Sequence, residues 1–152
     1  MGLLELLMFL LVENANNESG KNSAKIINTD APDQSLPFDP IDFYKNFTDE
    51  IRLKVLMLSH YHGELCVCEL MEALAEDSQP KVSRNLALLR KSNIITARKH
   101  GQWVFYRINP QLPLWAKSVI AQTTENNIAM IREPLKRLAQ MKNRPNKTNF
   151  CK

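Results

Sequence analysis

Cysteine is scarce in this chain, and its scarcity sets the first boundary. The 152 residues hold three: Cys66, Cys68 and Cys151. An odd, sparse count makes no disulfide framework, so a reducing, cytoplasmic setting is expected. Long hydrophobic runs are missing as well. The N-terminal GLLELLMFLLV spans only residues 2–12, too short to cross a bilayer. It has no basic n-region, carries Glu5, and is followed by no small-residue cleavage site, so a secretory signal is not expected. Position 6 is Leu rather than Ser or Thr, which removes a myristoylation signal. The run reads either as a short partner-seeking helix or as a translation start placed too early, and no membrane association is expected. A Gly-rich phosphate loop and a nucleophile with a positioned base are both absent, so no enzyme is expected.

Acid is absent where it matters most. From Ser78 to Arg107 there are seven bases (Lys81, Arg84, Arg90, Lys91, Arg98, Lys99, Arg107) and no Asp or Glu. The flanks are acidic: five acids and no base over Glu64–Asp77, and nine acids against three bases over Met1–Glu50. Such a block inside a folded domain marks a surface that faces a polyanion, with a merely solvated basic face as the plainer reading.

Residues 13–40 are rich in Asn, Ser, Asp and Pro and read as a linker, so residues 1–38 form an apolar run plus disordered segment. The domain is expected over residues 39–142, opening with Asp39 as N-cap and Pro40 in the first helical position. Ile41, Tyr44 and Phe47 follow at helical spacing. A second helix opens around Thr48 and Ile51, carries Val55 and Leu58, and ends at YHGE. GELCVCELMEAL (63–74) reads as a short amphipathic helix with Val67, Leu70, Met71 and Leu74 on its buried stripe, and Glu69, Glu72 and Ala73 opposite. A regular helix turns about 100° per residue, which sets Cys66 and Cys68 about 200° apart on the shoulders of that stripe. Ser78 caps the next helix, with Pro80 in its first turn and Val82, Leu86 and Leu89 inward. IITARKH and WVFYRI are β-prone runs joined by Gly-Gln, a tight hairpin. Two short helices followed by a basic hairpin make a winged helix-turn-helix, mainly α with a small β-hairpin wing. Residues 112–142 carry spaced apolar residues from Leu114 to Leu138 and predict a long helix that Pro134 kinks or divides. One small domain cannot cover such a helix, so a homodimer is expected. Residues 143–152 read as a flexible basic tail.

ELCVCEL, QPKVSRNLALLRKSNII and RKHGQWVFYRINP, in that order and spacing, resemble the ArsR/SmtB family of metal-responsive repressors, and its arsenic-sensing branch in particular. The resemblance covers roughly residues 40–120. It implies a homodimeric winged-helix repressor of an arsenic-resistance operon that leaves double-stranded operator DNA when the inducer binds. In that branch the cysteines of ELCVCDLC bind trivalent arsenic or antimony. Cys66 and Cys68 match the first two, and Met71 stands where the third would be. No resident cofactor is expected; arsenite or antimonite acts as inducer. The family's zinc site needs histidines on the last helix, and residues 110–152 contain none. Its cadmium and lead type draws thiols from an N-terminal arm, and no cysteine precedes Cys66.

The N-terminal residues of a recognition helix reach base edges, which nominates Gln79, Lys81, Ser83, Arg84 and Asn85. Arg84 suits guanine and Asn85 adenine, with an interhelical hydrogen bond as the alternative use of Asn85. Arg98, Lys99, His100 and Gln102 would set the wing on phosphates or in a minor groove. Trivalent arsenic is soft and selects thiolates. Two ligands of one ion lie within about 4 Å if zinc–thiolate bonds are a guide, so cysteines about 200° apart require the helix to distort on binding. His60 and His62 could complete a zinc cluster with the cysteines, although a functionless pair is the simpler reading. Cys151 is the remaining thiol for a third ligand. The rival function is a redox or reactive-sulfur sensor built on Cys66, Cys68 and Cys151.

Overall fold

The computed structural model describes residues 38–145. The apolar run, the linker and Cys151 lie outside the described residues. Asp39 opens the first helix, α1 (Pro40–Asn46), by accepting from the Ile41 N–H at 2.9 Å, with Pro40 as the first helical residue. The buried face differs from the sequence reading. Phe43 is fully buried among the rings of Phe38, Phe47 and Trp115, whereas Ile41 and Tyr44 are 65% and 51% exposed. Asp49 caps α2 (Glu50–His62) through the Arg52 N–H. This helix supplies Val55, Leu56, Met57 and Leu58 to the core. Gly63 ends it at φ +85°, a conformation that side chains disfavour.

The chain continues as β1 (Glu64–Cys66), α3 (Val67–Leu74), α4 (Gln79–Lys91), β2 (Ile95–His100) and β3 (Trp103–Ile108). The predicted hairpin is present: His100 pairs with Trp103 across Gly101 and Gln102, and Gly101 takes φ +58°. The sheet gains a third strand. β1 adds antiparallel to β3, giving the order β1-β3-β2, with Glu64 opposite Arg107 and Cys66 opposite Phe105. The fold is mainly helical with this small sheet, a winged helix.

The C-terminal region is two helices, not one. α5 (Leu114–Asn126) breaks at Asn127, a 3-10 turn follows (Ile128–Ile131), and α6 (Arg132–Gln140) runs back over α3. The break precedes Pro134, which sits in the first turn of α6 where its missing N–H costs nothing. Folding back lets one chain bury Ile120, Ile131 and Leu138 in its own core, contrary to the expectation that a single copy could not cover this segment. Among the apolar side chains that stay exposed are Ile41, Tyr44, Leu114 (79% exposed) and Trp115, with the Tyr44 and Trp115 rings 6.2 Å apart, and Ile128 and Met130 in the 3-10 turn.

Candidate thiol site and nucleic-acid interface

The cysteines do not share a helix. Cys66 ends β1 and is the N-cap of α3 with extended backbone (φ −88°, ψ 170°), while Cys68 is the second residue of that helix. The change of conformation between them removes the separation that a continuous helix would impose. Their sulfurs lie 2.6 Å apart, so the pair is already close enough to share one ion and no unwinding is needed. β-pairing of Leu65 and Cys66 with Tyr106 and Phe105 explains the missing turn of helix. Cys66 is 1% exposed and Cys68 half-buried. Burial, the hydrogen bond with Cys68 and the nearby Glu69 carboxylate push the Cys66 thiol up to about 12.

Glu69 was read as outward-facing and is instead completely buried, as is Ala73. The reason is capping. Glu69 Oε2 accepts from the Cys66 N–H at 2.8 Å, the reach-back of an N3 glutamate to the residue that starts its helix. Its other oxygen accepts from Arg144 Nε at 2.9 Å, which supplies the countercharge that a buried carboxylate requires. At the opposite end of α3, Arg137 Nε donates to the Ala73 carbonyl at 2.8 Å. There a cation meets the negative end of the helix dipole. Thus α6 and the residues after it hold the cysteine helix at both ends. Arg144 belongs to the span read as a flexible tail, yet it is pinned here. The x-x-Glu spacing after Cys66 was the available signal for the cap; nothing in the sequence announces Arg144.

Ser78 caps α4 through the Lys81 N–H, and Val82, Leu86 and Leu89 are buried as predicted. Gln79, Lys81 and Arg84 are exposed and Ser83 half-exposed along its N-terminal half. Lys81 also pairs with Glu76 at 2.8 Å. Asn85 turns inward instead: it is 8% exposed, accepts from Arg52 Nη1 at 3.1 Å and donates to the Lys81 carbonyl at 3.0 Å. The amide is spent on joining α2 to α4. On the wing, Lys99, His100 and Gln102 are exposed at the tip. Arg98 is drawn back into a two-pronged pair with Glu64 (2.8 and 2.6 Å) and lies over the Phe105 ring. Glu64 therefore links β1, two residues before Cys66, to the wing strand. His60 lies in the last turn of α2, 3.9 Å from Glu125. Among the described residues no group of three or more His, Cys, Asp and Glu is placed to hold a metal ion.

Residues 49–97 match the family model described as "Bacterial regulatory protein, arsR family". The arsenic resistance transcriptional regulator ArsR2 of Pseudomonas putida is 44% identical over 112 residues, 74% of this chain and 96% of that protein. The chain belongs to the ArsR family. The arsenical resistance operon repressor of Escherichia coli is 40% identical over 74% of this chain and 95% of its own length. Among solved structures, HlyU from Vibrio cholerae superposes with a TM-score of 0.52 at 28% identity, covering 64% of this chain and 99% of that one. This ArsR-family chain is a helix-turn-helix transcriptional regulator and not an enzyme. No helix among the described residues is long and apolar enough to cross a membrane.

Proposed function

We propose that this protein is a cytoplasmic, homodimeric repressor of an arsenic-resistance operon, released from its operator when trivalent arsenic or antimony binds Cys66 and Cys68. One observation carries the reading: two thiols in contact at a strand–helix junction, directly before the helix pair that would dock on DNA. The names of the Pseudomonas and Escherichia relatives agree with it. Gln79, Lys81, Ser83 and Arg84 read base edges, Lys99, His100 and Gln102 hold the backbone, and Asn85 acts as a strut rather than an adenine reader.

Release follows two routes from the sulfurs. Forward, α3 leads through a four-residue turn into α4. Sideways, β1 is paired to β3, and Glu64 grips Arg98 on β2. Two sulfurs on one ion stand up to about 4 Å apart, wider than the 2.6 Å they keep here, so binding spreads the junction that these routes share and re-aims helix and wing together. The same sulfur contact also suits a peroxide-driven or persulfide sensor. A titration of the operator complex separates the two readings: arsenite and antimonite release DNA, whereas zinc and peroxide have little effect. Release by peroxide but not by arsenite would establish the redox reading instead.

A further inference from the structure

Cys68 also faces a groove between α3 and α6, of about 550 Å³, that Cys66 does not line. Two methionines line it with Cys68: Met71, three residues on along α3, and Met141, just past the end of α6. Residues three apart share a helix face, so Met71 and Cys68 open on the same side. Met71 packs against the hydrophobic core, as its place on the buried stripe predicts, and lines this groove as well. It is only half-buried, as is Met141, in contrast to the fully buried Met57. The groove thus collects one thiol and two thioethers.

That donor set has a definite preference. Thiolate and thioether sulfurs select soft, closed-shell ions such as Cu(I). Trivalent arsenic calls for anionic donors that a thioether cannot supply. Zinc could draw on Cys68 with the lining carboxylates Glu72, Glu76 and Asp77, but among the described residues no three His, Cys, Asp or Glu side chains are placed to hold a metal ion. Charge decides the valence. One thiolate with a monovalent cation gives a neutral complex, and thioethers add no charge, so a half-buried site needs no counterion. Three carboxylates (Glu72, Glu76 and Asp77) line the groove against the one guanidinium of Arg137, a net negative lining that favours a cation on approach.

We propose that Cys68, Met71 and Met141 form a three-sulfur site for a soft monovalent cation, Cu(I) or Ag(I). The site rests on the arsenic reading only in sharing Cys68, so cation and metalloid compete for that sulfur. Binding exchanges the Cys68 proton for the metal. One S–H bond breaks and its proton leaves to solvent, three metal–sulfur bonds (one thiolate, two thioether) replace the ion's bonds to its chelator, and no electron is transferred.

The test uses the full, reduced chain, Cu(I) titrated against a bathocuproine chelator, and copper K-edge spectroscopy to count sulfurs. One Cu(I) per chain on three sulfurs is expected. Met71→Leu and Met141→Leu, close to isosteric, should each weaken binding at least about tenfold. Both should release operator with arsenite as the wild type does. Cys66→Ser should keep Cu(I) and lose the arsenite response. Unchanged Cu(I) affinity in both leucine variants would overturn the site. So would two-sulfur coordination that vanishes in Cys66→Ser, which would put the ion on the cysteine pair. An arsenite response that survives Cys66→Ser would defeat the arsenic reading alone, since the copper measurements do not depend on it.

Discussion

Two neighbouring sulfurs experience different surroundings, and the difference is measurable. Cys66 is enclosed and held protonated, with its thiol pushed up to about 12, whereas Cys68 opens on a groove. At pH 8 iodoacetamide should label Cys68 first and Cys66 only after denaturation; equal labelling would contradict the burial. The sign for folding follows. The native chain holds the Cys66 proton more tightly than the unfolded chain, whose thiols titrate near 8.5. That contribution is complete below the unfolded value and is lost as pH rises through about 12. Arsenous acid is neutral in this range and condenses with the thiols, each S–H proton leaving with an arsenic-bound hydroxyl as water. Apparent arsenite affinity should therefore stay nearly flat from about pH 6 to 8, whereas binding of a bare metal cation releases protons and tightens with pH. Adjacent residues of α4 divide in the same way. Arg84→Ala should cost about 1–3 kcal/mol of discrimination at one base pair in each half-site with little change in melting temperature. Asn85→Ala should instead lower stability by about 1–3 kcal/mol, because the Arg52 guanidinium loses its acceptor. Chemical denaturation together with binding to operator and random DNA separates these outcomes.

At the scale of elements, local signals were legible and long-range ones were not. Asp39, Ser78 and the Gly-Gln turn carry their instructions within a few residues, and each appears where the sequence put it. The cysteine segment misleads because its amphipathic pattern continues into residues that β3 recruits as a strand. Glu69 looks like a surface acid until Arg144, 75 residues away, neutralises it. The C-terminal break is equally non-local, since Pro134 is conspicuous in sequence while the turn falls at Asn127. The wing provides a test of the strand added at β1. Glu64→Gln removes the charge that holds Arg98, so operator affinity should rise several-fold and its salt dependence should steepen, since one more cation reaches phosphate. An unchanged salt slope would show that Arg98 contacts no DNA.

For the molecule as a whole, charge and open apolar surface define the partners. The acid-free block falls on α4 and the wing, so operator binding should weaken steeply with salt. Lys99→Ala should weaken all sequences alike. The exposed Ile41, Tyr44, Leu114 and Trp115 are expected to meet a second copy. Leu114→Glu should then yield monomers by sedimentation and lower operator affinity well over tenfold, while a dimer that persists would place the interface elsewhere. A chain beginning at Leu36 retains Phe38, whose ring packs on Phe43 and Trp115. It should fold, dimerise and bind operator as the full chain does.

In the proposed mechanism Cys66 and Cys68 turn metalloid binding into DNA release. Fluorescence anisotropy of labelled operator, titrated with arsenite, tests it on the wild type and on Cys66→Ser and Cys68→Ser. All three should bind DNA with similar affinity, and only the wild type should let go. Release from either serine variant at wild-type arsenite concentrations would contradict that mechanism.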